Sequence, residues 1–143
     1  EIYQCDWSSD VCSSDLRPLS PEMLRENGNK IKMRGREVYR AATRMLPEVV
    51  AETLSLAGLE AKDVTHVIAH QANQRIIEYA LDTLGVPIEK CWMNINRYGN
   101  TSSASMPITL DEANRAGRLK KDDVIAMMAI GAGMTWGSIL LRW

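Results

Sequence analysis

Two short segments of the sequence place a polar side chain after an apolar run that is typical of a β-strand. His70 directly follows the run 64–69, and Asn100 lies shortly after the run 91–95. Ligands of open α/β sheets bind beyond the carboxyl ends of the strands, where side chains from two strands can meet at one reacting oxygen. We therefore expect His70 and Asn100 to be the central pair of a site that stabilises negative charge on oxygen.

The chemistry open to this pair is hydrogen-bond donation. A neutral imidazole nitrogen of His70 can donate to a developing oxyanion, although a satisfied structural histidine is an equal alternative. The Asn100 amide can donate but takes up no proton at neutral pH, and beside Gly99 ordinary turn chemistry is the interpretation that the local pattern alone favours. Neither side chain is a good nucleophile, so a covalent intermediate would need another group.

The cysteines do not supply an obvious nucleophile. Cys91 precedes Trp92 at the start of an apolar run, without a helix start or a nearby cation that would activate its thiol, and is predicted to be a buried structural cysteine. Cys5 and Cys12 lie in the N-terminal segment 1–16, which does not read as part of the domain. One remaining cysteine excludes an internal disulfide framework, and no secretory segment is visible, so the expected compartment is the reducing cytoplasm.

The two histidines have H-x-x-x-H spacing, which on one face of a helix would suggest zinc. On a strand, four residues at about 3.3 Å each separate the Cα atoms of His66 and His70 by roughly 13 Å, too far for one metal ion to bind both rings. We therefore expect no metal site and interpret His66 as a strand histidine near a helix or solvent.

The turn 131–133 (GAG) could direct a backbone N–H at a bound carbonyl or could be a bare hairpin, and it lacks the pattern of a phosphate loop.

The N-terminal segment has a composition unlike that of the rest of the chain. Residues 6–16 (DWSSDVCSSDL) resemble the in-frame translation of a sequencing-library adapter, so residues 1–16 are predicted to be a non-native tail. Setting them aside removes four of the 18 acidic residues and none of the 17 Lys and Arg, which changes the net charge from −1 to +3. Residues 17–30 are predicted to be a loop or a truncated edge, and residues 31–143 a single domain.

Six cations crowd into one stretch of the sequence. They could face an acidic partner protein, although a solvated helix face is the favoured interpretation. The six are Lys30, Lys32, Arg34, Arg36, Arg40 and Arg44. No apolar run approaches the roughly 18 residues that would span a membrane.

Hydrophobic periodicity and turn residues predict the element order α, β, α, β, α, β, β, which indicates an α/β fold with a largely parallel sheet covered by helices. The predicted helices are 37–57, a run from Asn73 to Gly85, and 104–116; the predicted strands are 64–69, 91–95, 123–130 and 136–142. Pro47 removes a backbone donor inside the first helix, so we expect a kink or a break near residues 43–46. The last two strands are expected to form an antiparallel pair.

Five motifs occur in an order that gives the chain a resemblance to a known family. They are 33–38 (MRGREV), 70–73 (HQAN) with Arg75, 98–102 (YGNTS), 110–113 (LDEA) and 131–137 (GAGMTWG). From about residue 31 to residue 143 the chain resembles the C-terminal half of β-ketoacyl-acyl-carrier-protein synthase III, a thiolase-fold enzyme that starts fatty acid synthesis. The resemblance implies one of two similar α/β halves, with a mixed sheet of at least four strands covered by helices.

The resemblance further implies a decarboxylative Claisen condensation. In the family an acyl group moves from coenzyme A to a cysteine of the N-terminal half, and malonyl on acyl carrier protein then loses carbon dioxide and attacks the thioester. His70 and Asn100 would donate hydrogen bonds to the malonyl thioester carbonyl, and the backbone N–H of Ala132 would donate to the acyl-cysteine carbonyl. Acyl-coenzyme A and malonyl-acyl carrier protein are substrates, and no cofactor or metal is implied.

The same resemblance implies a set of partners. Ala72, Asn73 and Arg75 match positions that line the entrance for the pantetheine arm and the carrier protein. Arg75 would meet the acidic carrier surface, with a solvated helix charge as the alternative interpretation. The family is cytoplasmic and homodimeric, with no nucleic acid partner and no membrane span. We expect the N-terminal half with its cysteine to be missing here, and the chain alone to be inactive.

Two departures from the family pattern leave the substrate open. Ala132 stands where glycine is more usual, and Ile130 where phenylalanine is more usual, which affects the shape of the acyl pocket. One alternative is a related starter condensing enzyme of quinolone or polyketide type, which uses another acyl donor. A second alternative is a non-catalytic half that docks acyl carrier protein, although the presence of both His70 and Asn100 argues against it.

Overall fold

The computed structural model describes residues 20–25 and 33–143. Its helices are α1 (Pro21–Arg25), α2 (Gly35–Leu56), α3 (Gln74–Leu84), α4 (Ile95–Tyr98) and α5 (Ser105–Arg115), and its strands are β1 (His66–Ala69), β2 (Val124–Gly131) and β3 (Thr135–Arg142). Short 3₁₀ turns cover Ala61–Asp63, Ile88–Lys90 and Ser102–Ala104. The predicted adapter tail and the cations Lys30 and Lys32 lie outside the described residues. Within the described ranges, no helix combines the length and the apolar composition that crossing a bilayer requires.

The sheet is mixed, as expected, but smaller than expected. Its strand order is β1-β2-β3, with β1 parallel to β2 and β2 antiparallel to β3. The prediction of at least four strands is wrong for the part of the chain that the structure describes, which contains three. The predicted strand 91–95 is reduced to one parallel bridge between Cys91 and Val67. Beyond this bridge the chain turns into α4, because the side chain of Gln71 binds the backbone N–H groups that a strand would have used.

Helices cover both faces of the sheet, because alternate strand residues point to opposite sides. One face packs against α2 and α3 and buries the β1 residues Val67 and Ala69 with Ala126 and Met128 of β2. The opposite face packs against α5 and buries Ile68 and Ile125 with Ala113 and Leu119. The apolar alternation of β1 and β2 therefore builds two cores on one sheet.

The long helix α2 passes through Pro47 without a break. Pro47 is buried inside the continuous helix Gly35–Leu56, so the predicted break near residues 43–46 is wrong. The residues that a broken helix would expose are held in the core: Ala42, Leu46, Val50 and Leu54 are all buried. Packing of this apolar stripe outweighs the one backbone hydrogen bond that proline removes.

A short helix occupies part of the segment that was predicted to be a loop. In the helix α1 the first residue is Pro21 and the first turn carries Glu22, both of which favour a helix start. Five residues are too few to show a 3.6-residue hydrophobic period, which is why the sequence pattern did not reveal it.

The parallel pairing of β1 with β2 fixes where the site lies. Ala69, the last residue of β1, is opposite Met128 of β2, so the carboxyl ends of both strands reach the same edge of the sheet. The segment that follows β1 therefore lies at the edge where β2 runs into its hairpin with β3. Residues 70–73, 94–105 and 131–135 supply the candidate site residues.

Candidate active site

His70 is held at the carboxyl end of β1 by two hydrogen bonds. Its backbone N–H donates to the carbonyl oxygen of Met128 at 2.8 Å, and its Nδ1 lies 2.6 Å from the Oγ of Ser105. The side chain is partly buried, and this burial lowers the pKa of the imidazole, which favours the neutral ring at pH 7. Its Nε2 has no hydrogen-bond partner among the described residues, so one ring nitrogen is available to a ligand.

Asn100 lies in an exposed turn after α4 and before the 3₁₀ turn Ser102–Ala104. Its Oδ1 accepts a hydrogen bond from the backbone N–H of Ser102 at 2.8 Å, which fixes the orientation of the carboxamide. With Oδ1 engaged, the Nδ2 group has no partner within the described ranges and can donate outward. Gly99 has a φ of 66° and a ψ of −154°, a conformation that a side chain would strain, so glycine is required immediately before Asn100.

The elements that carry His70 and Asn100 are joined through Ser105. The Oγ of Ser105 contacts the His70 ring and also accepts a hydrogen bond from the backbone N–H of Gln71 at 3.2 Å. Ser105 begins α5 only five residues after Asn100. The segments of the two predicted donors are therefore linked through Ser105, and each donor keeps one side-chain nitrogen, His70 Nε2 or Asn100 Nδ2, without a hydrogen-bond partner among the described residues. The sequence did not indicate Ser105 as part of this arrangement.

Gln71 connects the His70 loop to the segment before Asn100. Its side chain is fully buried, and its Oε1 accepts hydrogen bonds from the backbone N–H groups of Asn94 at 3.1 Å and Ile95 at 3.2 Å. Its Nε2 donates to the carbonyl of Ala69 at 3.0 Å and reaches that of Trp92 at 3.5 Å. One side chain thus ties the end of β1 to the start of α4.

The Glu112 carboxylate on α5 binds the other side of this segment. It accepts hydrogen bonds from Trp92 Nε1 at 3.4 Å, Asn94 Nδ2 at 2.9 Å, Arg97 Nη2 at 2.7 Å and Tyr98 Oη at 2.8 Å. The bond from Asn94, helped by those from the other three residues, lowers the pKa of Glu112, while the bond to Glu112 raises the pKa of Tyr98. We call Glu112 with these four donors the carboxylate brace.

The hairpin between β2 and β3 brings Ala132 to the same edge of the sheet. Its carbonyl accepts a hydrogen bond from the Oγ1 of Thr135 at 3.2 Å, while its backbone N–H is without a partner in the described part of the chain. Ala132 is exposed, whereas Ile130 is partly buried and packs against the core that α2 and α3 cover. The hairpin can therefore offer one backbone donor, and its role toward a bound carbonyl stays a prediction.

Cys91 is not an activated thiol. It is partly buried, and burial raises the pKa of its thiol to about 12. The thiolate is the nucleophilic form, so this cysteine is poorly suited to attack a substrate.

The predicted entrance residues gather at the start of α3. Asn73 caps this helix, its Oδ1 accepting the backbone N–H of Arg75 at 3.0 Å, as its position before the helix predicted. The side chain of Arg75 is exposed in the first helical turn, and Ala72 is partly buried with its N–H bound to the His70 carbonyl at 2.9 Å. Among the described members of the six-cation stretch 30–44, Arg34 forms an exposed ion pair with Glu37 at 3.4 Å.

His66 has a partner of its own and takes no part in the site. Its Nε2 lies 3.3 Å from Asp123 Oδ2, and both side chains are mostly buried. Within residues 20–25 and 33–143, no group of three or more His, Cys, Asp or Glu side chains could hold a metal ion.

Comparison with known proteins identifies the family to which this arrangement belongs. The model of the family described as 3-oxoacyl-[acyl-carrier-protein (ACP)] synthase III C terminal matches residues 54–143, which include every segment of the site. The chain belongs to this family. The four motifs from His70 onward, and the part of the fold that runs from the end of α2 to β3, lie within the matched residues.

Individual relatives agree with this family. The chain is 49% identical over 113 residues to the beta-ketoacyl-[acyl-carrier-protein] synthase III of Microcystis aeruginosa, covering 79% of this chain and 34% of the relative. The enzyme of the same name from Aquifex aeolicus is 48% identical over 118 residues, covering 82% of this chain and 38% of the relative. The chain therefore spans only about a third to two fifths of the length of these synthase III relatives.

Solved structures show the same fold. The crystal structure of the Aquifex aeolicus 3-oxoacyl-[acyl-carrier-protein] synthase III matches with a TM-score of 0.80 at 47% identity, over 82% of this chain and 38% of that one. The Pseudomonas aeruginosa enzyme matches with a TM-score of 0.80 at 35% identity, over 89% of this chain and 40% of that one. The thiolase-like α/β class inferred from the sequence is confirmed, with the smaller sheet noted above.

Proposed function

We propose that this chain provides the oxyanion-stabilising part of a β-ketoacyl-acyl-carrier-protein synthase III, which condenses an acyl-coenzyme A primer with malonyl-acyl carrier protein. The observation that supports the proposal is that His70 Nε2 and Asn100 Nδ2 have no hydrogen-bond partner among the described residues, while Ser105, five residues after Asn100, contacts the His70 ring. Donors preorganised in this way act on charge that develops during a reaction and need not rearrange when it does.

The proposed reaction assigns each donor a step. Transfer of the acyl group from coenzyme A to an enzyme cysteine releases the coenzyme A thiol. The malonyl thioester then loses carbon dioxide, and its carbonyl oxygen takes the negative charge of the resulting enolate. His70 and Asn100 stabilise this oxygen. The enolate carbon attacks the acyl-cysteine carbonyl, whose oxygen the Ala132 N–H would bind, and the cysteine thiolate leaves as the β-ketoacyl product forms.

The nucleophilic cysteine is proposed to lie outside this chain. Cys91 does not suit the role, because its pKa is raised to about 12 and its thiol is partly buried. On this proposal the isolated chain is inactive, and the N-terminal half of the enzyme provides the thiol. The thioesters of coenzyme A and acyl carrier protein are substrates, so no further cofactor is proposed.

The proposed partners follow from the surface of α3. Arg75 is exposed at the start of this helix, next to the His70 loop, and would attract an acidic carrier protein. Ala72 and Asn73 would line the path of the pantetheine arm toward His70. A cytoplasmic homodimer completes the proposal, as the family resemblance implies.

Substitution of Asn100 by alanine in the complete synthase tests this function. The variant should still accept an acyl group from acyl-coenzyme A, but its rate of malonyl decarboxylation should fall by about 10² to 10³, the usual cost of removing one oxyanion donor. Acyl transfer is measured by mass spectrometry of the enzyme, and decarboxylation by release of labelled carbon dioxide. The matched control is Asn114→Ala, which removes an exposed carboxamide from the far end of α5. Condensation at the normal rate by Asn100→Ala would defeat the assignment.

A further inference from the structure

The hydroxyl of Ser105 lies between the ring of His70 and the backbone of Gln71, in a part of the site that the proposed chemistry does not use directly. Ser105 is only 1% exposed and begins α5. Its Oγ is 2.6 Å from His70 Nδ1 and accepts the backbone N–H of Gln71 at 3.2 Å. Burial at this depth keeps the hydroxyl away from a substrate, so its effect must pass through the histidine.

The direction of each hydrogen bond follows from the groups that Ser105 meets. A serine hydroxyl has one proton to donate and can accept two hydrogen bonds. The Gln71 N–H can only donate, so it occupies one acceptor position of Oγ. The remaining partner of Oγ within the described ranges is His70 Nδ1. If Nδ1 carried a proton, the buried serine proton would have no acceptor there, which buried polar groups avoid.

We infer that Ser105 is a positioning residue that holds neutral His70 in the tautomer with its proton on Nε2. The serine proton lies on the bond to Nδ1, which leaves the ring proton on Nε2, the nitrogen without a partner among the described residues. This inference rests on the proposed function, because a fixed Nε2–H is what an enolate oxygen would require. The opposite tautomer would present a lone pair to that oxygen and repel it.

The surroundings hold the serine in place. The carbonyl of Ser105 accepts a hydrogen bond from the Oγ1 of Thr109 at 2.6 Å, and the same hydroxyl lies 3.3 Å from Asn94 Oδ1. Thr109 is fully buried, and Asn94 is 2% exposed. Ser105 is thus presented to His70 from a helix whose first turn is connected to the carboxylate brace.

Nitrogen NMR of the histidine rings tests the inference directly. The full chain contains two histidines, so His66 serves as an internal reference for His70. In the ¹⁵N-labelled wild-type chain at pH 7.5, His70 should show a protonated Nε2 and an unprotonated Nδ1. Ser105→Ala should redistribute the proton between the two ring nitrogens, whereas Ser105→Thr keeps a hydroxyl and should preserve the wild-type pattern. Ser103→Ala, which removes an exposed hydroxyl two residues away, should change nothing.

The expected kinetic effect is separate from that of losing a donor. In the complete synthase, Ser105→Ala should lower kcat for condensation by about ten- to a hundredfold, the usual loss when an orienting partner is removed, with little change in KM. Ser105→Thr should restore most of this rate. A wild-type His70 that carries its proton on Nδ1, or an unchanged tautomer in Ser105→Ala, would overturn the inference.

The two proposals can fail independently. The tautomer measurement needs no substrate, so it decides the role of Ser105 even if Asn100→Ala condenses normally and the proposed function is lost. The wild-type spectrum alone can refute the inference if the alanine variant does not fold.

Discussion

Replacing Gln71 by leucine should destabilise the chain severely, because leucine has a similar volume but makes no hydrogen bonds. Two backbone groups that Gln71 satisfies at good distance belong to buried residues, the carbonyl of Ala69 and the N–H of Asn94. Leaving each without a partner costs about 1 to 3 kcal/mol. Burial of the leucine side chain returns roughly 1.5 to 3 kcal/mol, so the free energy of unfolding should fall by about 2 kcal/mol. This is a large fraction of the roughly 5 to 15 kcal/mol that holds a typical domain together.

Urea unfolding followed by tryptophan fluorescence measures this loss. The matched control is Gln74→Leu, because Gln74 is exposed and, within the described residues, its side chain bonds only Glu78, at 2.7 Å on the surface of α3. The control should change the free energy of unfolding by less than about 0.5 kcal/mol. Hydrogen exchange of the Asn94 and Ile95 amides should accelerate in Gln71→Leu alone. Equal stability of the two variants, or unchanged exchange at those amides, would refute the role assigned to Gln71.

Three further predictions concern charge and protonation. The pKa of Glu112 is lowered in the folded state from its ordinary value of 4.5. The stabilisation of the fold by the ionised Glu112 carboxylate is therefore present above that pH and is lost as the pH falls through the lowered value. The free energy of unfolding should therefore drop more steeply below pH 4.5 in the wild type than in Glu112→Gln, as measured by urea titrations across this range; parallel curves would contradict it. The thiol of Cys91, with a pKa of about 12, should react with iodoacetamide at pH 8 on the order of a thousandfold more slowly in the folded chain than in urea, as measured by peptide mass spectrometry. Arg75→Glu in the complete synthase should weaken carrier-protein binding by roughly tenfold at low salt with little change in coenzyme A use, and equal carrier affinity in surface plasmon resonance would remove the docking proposal.

Elements with a complete local signal were predictable from the sequence. The helix α3 begins after the Asn73 cap and ends at Leu84, just before Gly85 with its φ of 69°, as the cap and stop residues indicated. The antiparallel pair β2 and β3 lies within one residue of the predicted strands, and β1 occupies the end of its predicted run. In these cases periodicity and turn chemistry favoured one structure, and packing agreed with it.

The run 91–95 shows where local pattern fails. Its residues suit a strand, but the Gln71 side chain, more than twenty residues earlier, binds the backbone N–H groups of Asn94 and Ile95. Such a long-range contact leaves no trace in the hydrophobic pattern of the run itself. For Pro47 the error was the opposite, because burial of the α2 stripe outweighed a local penalty.

The candidate site was likewise predictable from the sequence only in part. His70 and Asn100 were predicted from the sequence because each follows an apolar run and has a side chain able to donate, and their role as donors stays a prediction. Ser105 and Glu112 were missed as functional positions because their roles depend on contacts with distant segments. One signal was available: Ser105, Thr109 and Ala113 follow at four-residue spacing on α5, and the structure buries all three. Two hydroxyls on a buried helix face indicate a polar partner across the core.

The carboxylate brace and Gln71 have a consequence for how this protein can change during evolution. Both bind residues 92–98 through hydrogen bonds, and Gln71 also bonds the end of β1 directly before His70. A substitution that displaces residues 92–98 should therefore also displace His70. Substitutions at Gln71 and in the carboxylate brace should combine non-additively. The tip of the β2–β3 hairpin lies outside both sets of hydrogen bonds, although β2 itself binds the His70 backbone through the Met128 carbonyl, and β3 is joined to α2 by the bond from Ser138 Oγ to the Val49 carbonyl at 2.9 Å. Substitutions at the hairpin tip around Ala132 should therefore disturb His70 and Asn100 less than substitutions within residues 92–98, so the tip can vary in evolution while the surroundings of those two side chains are kept.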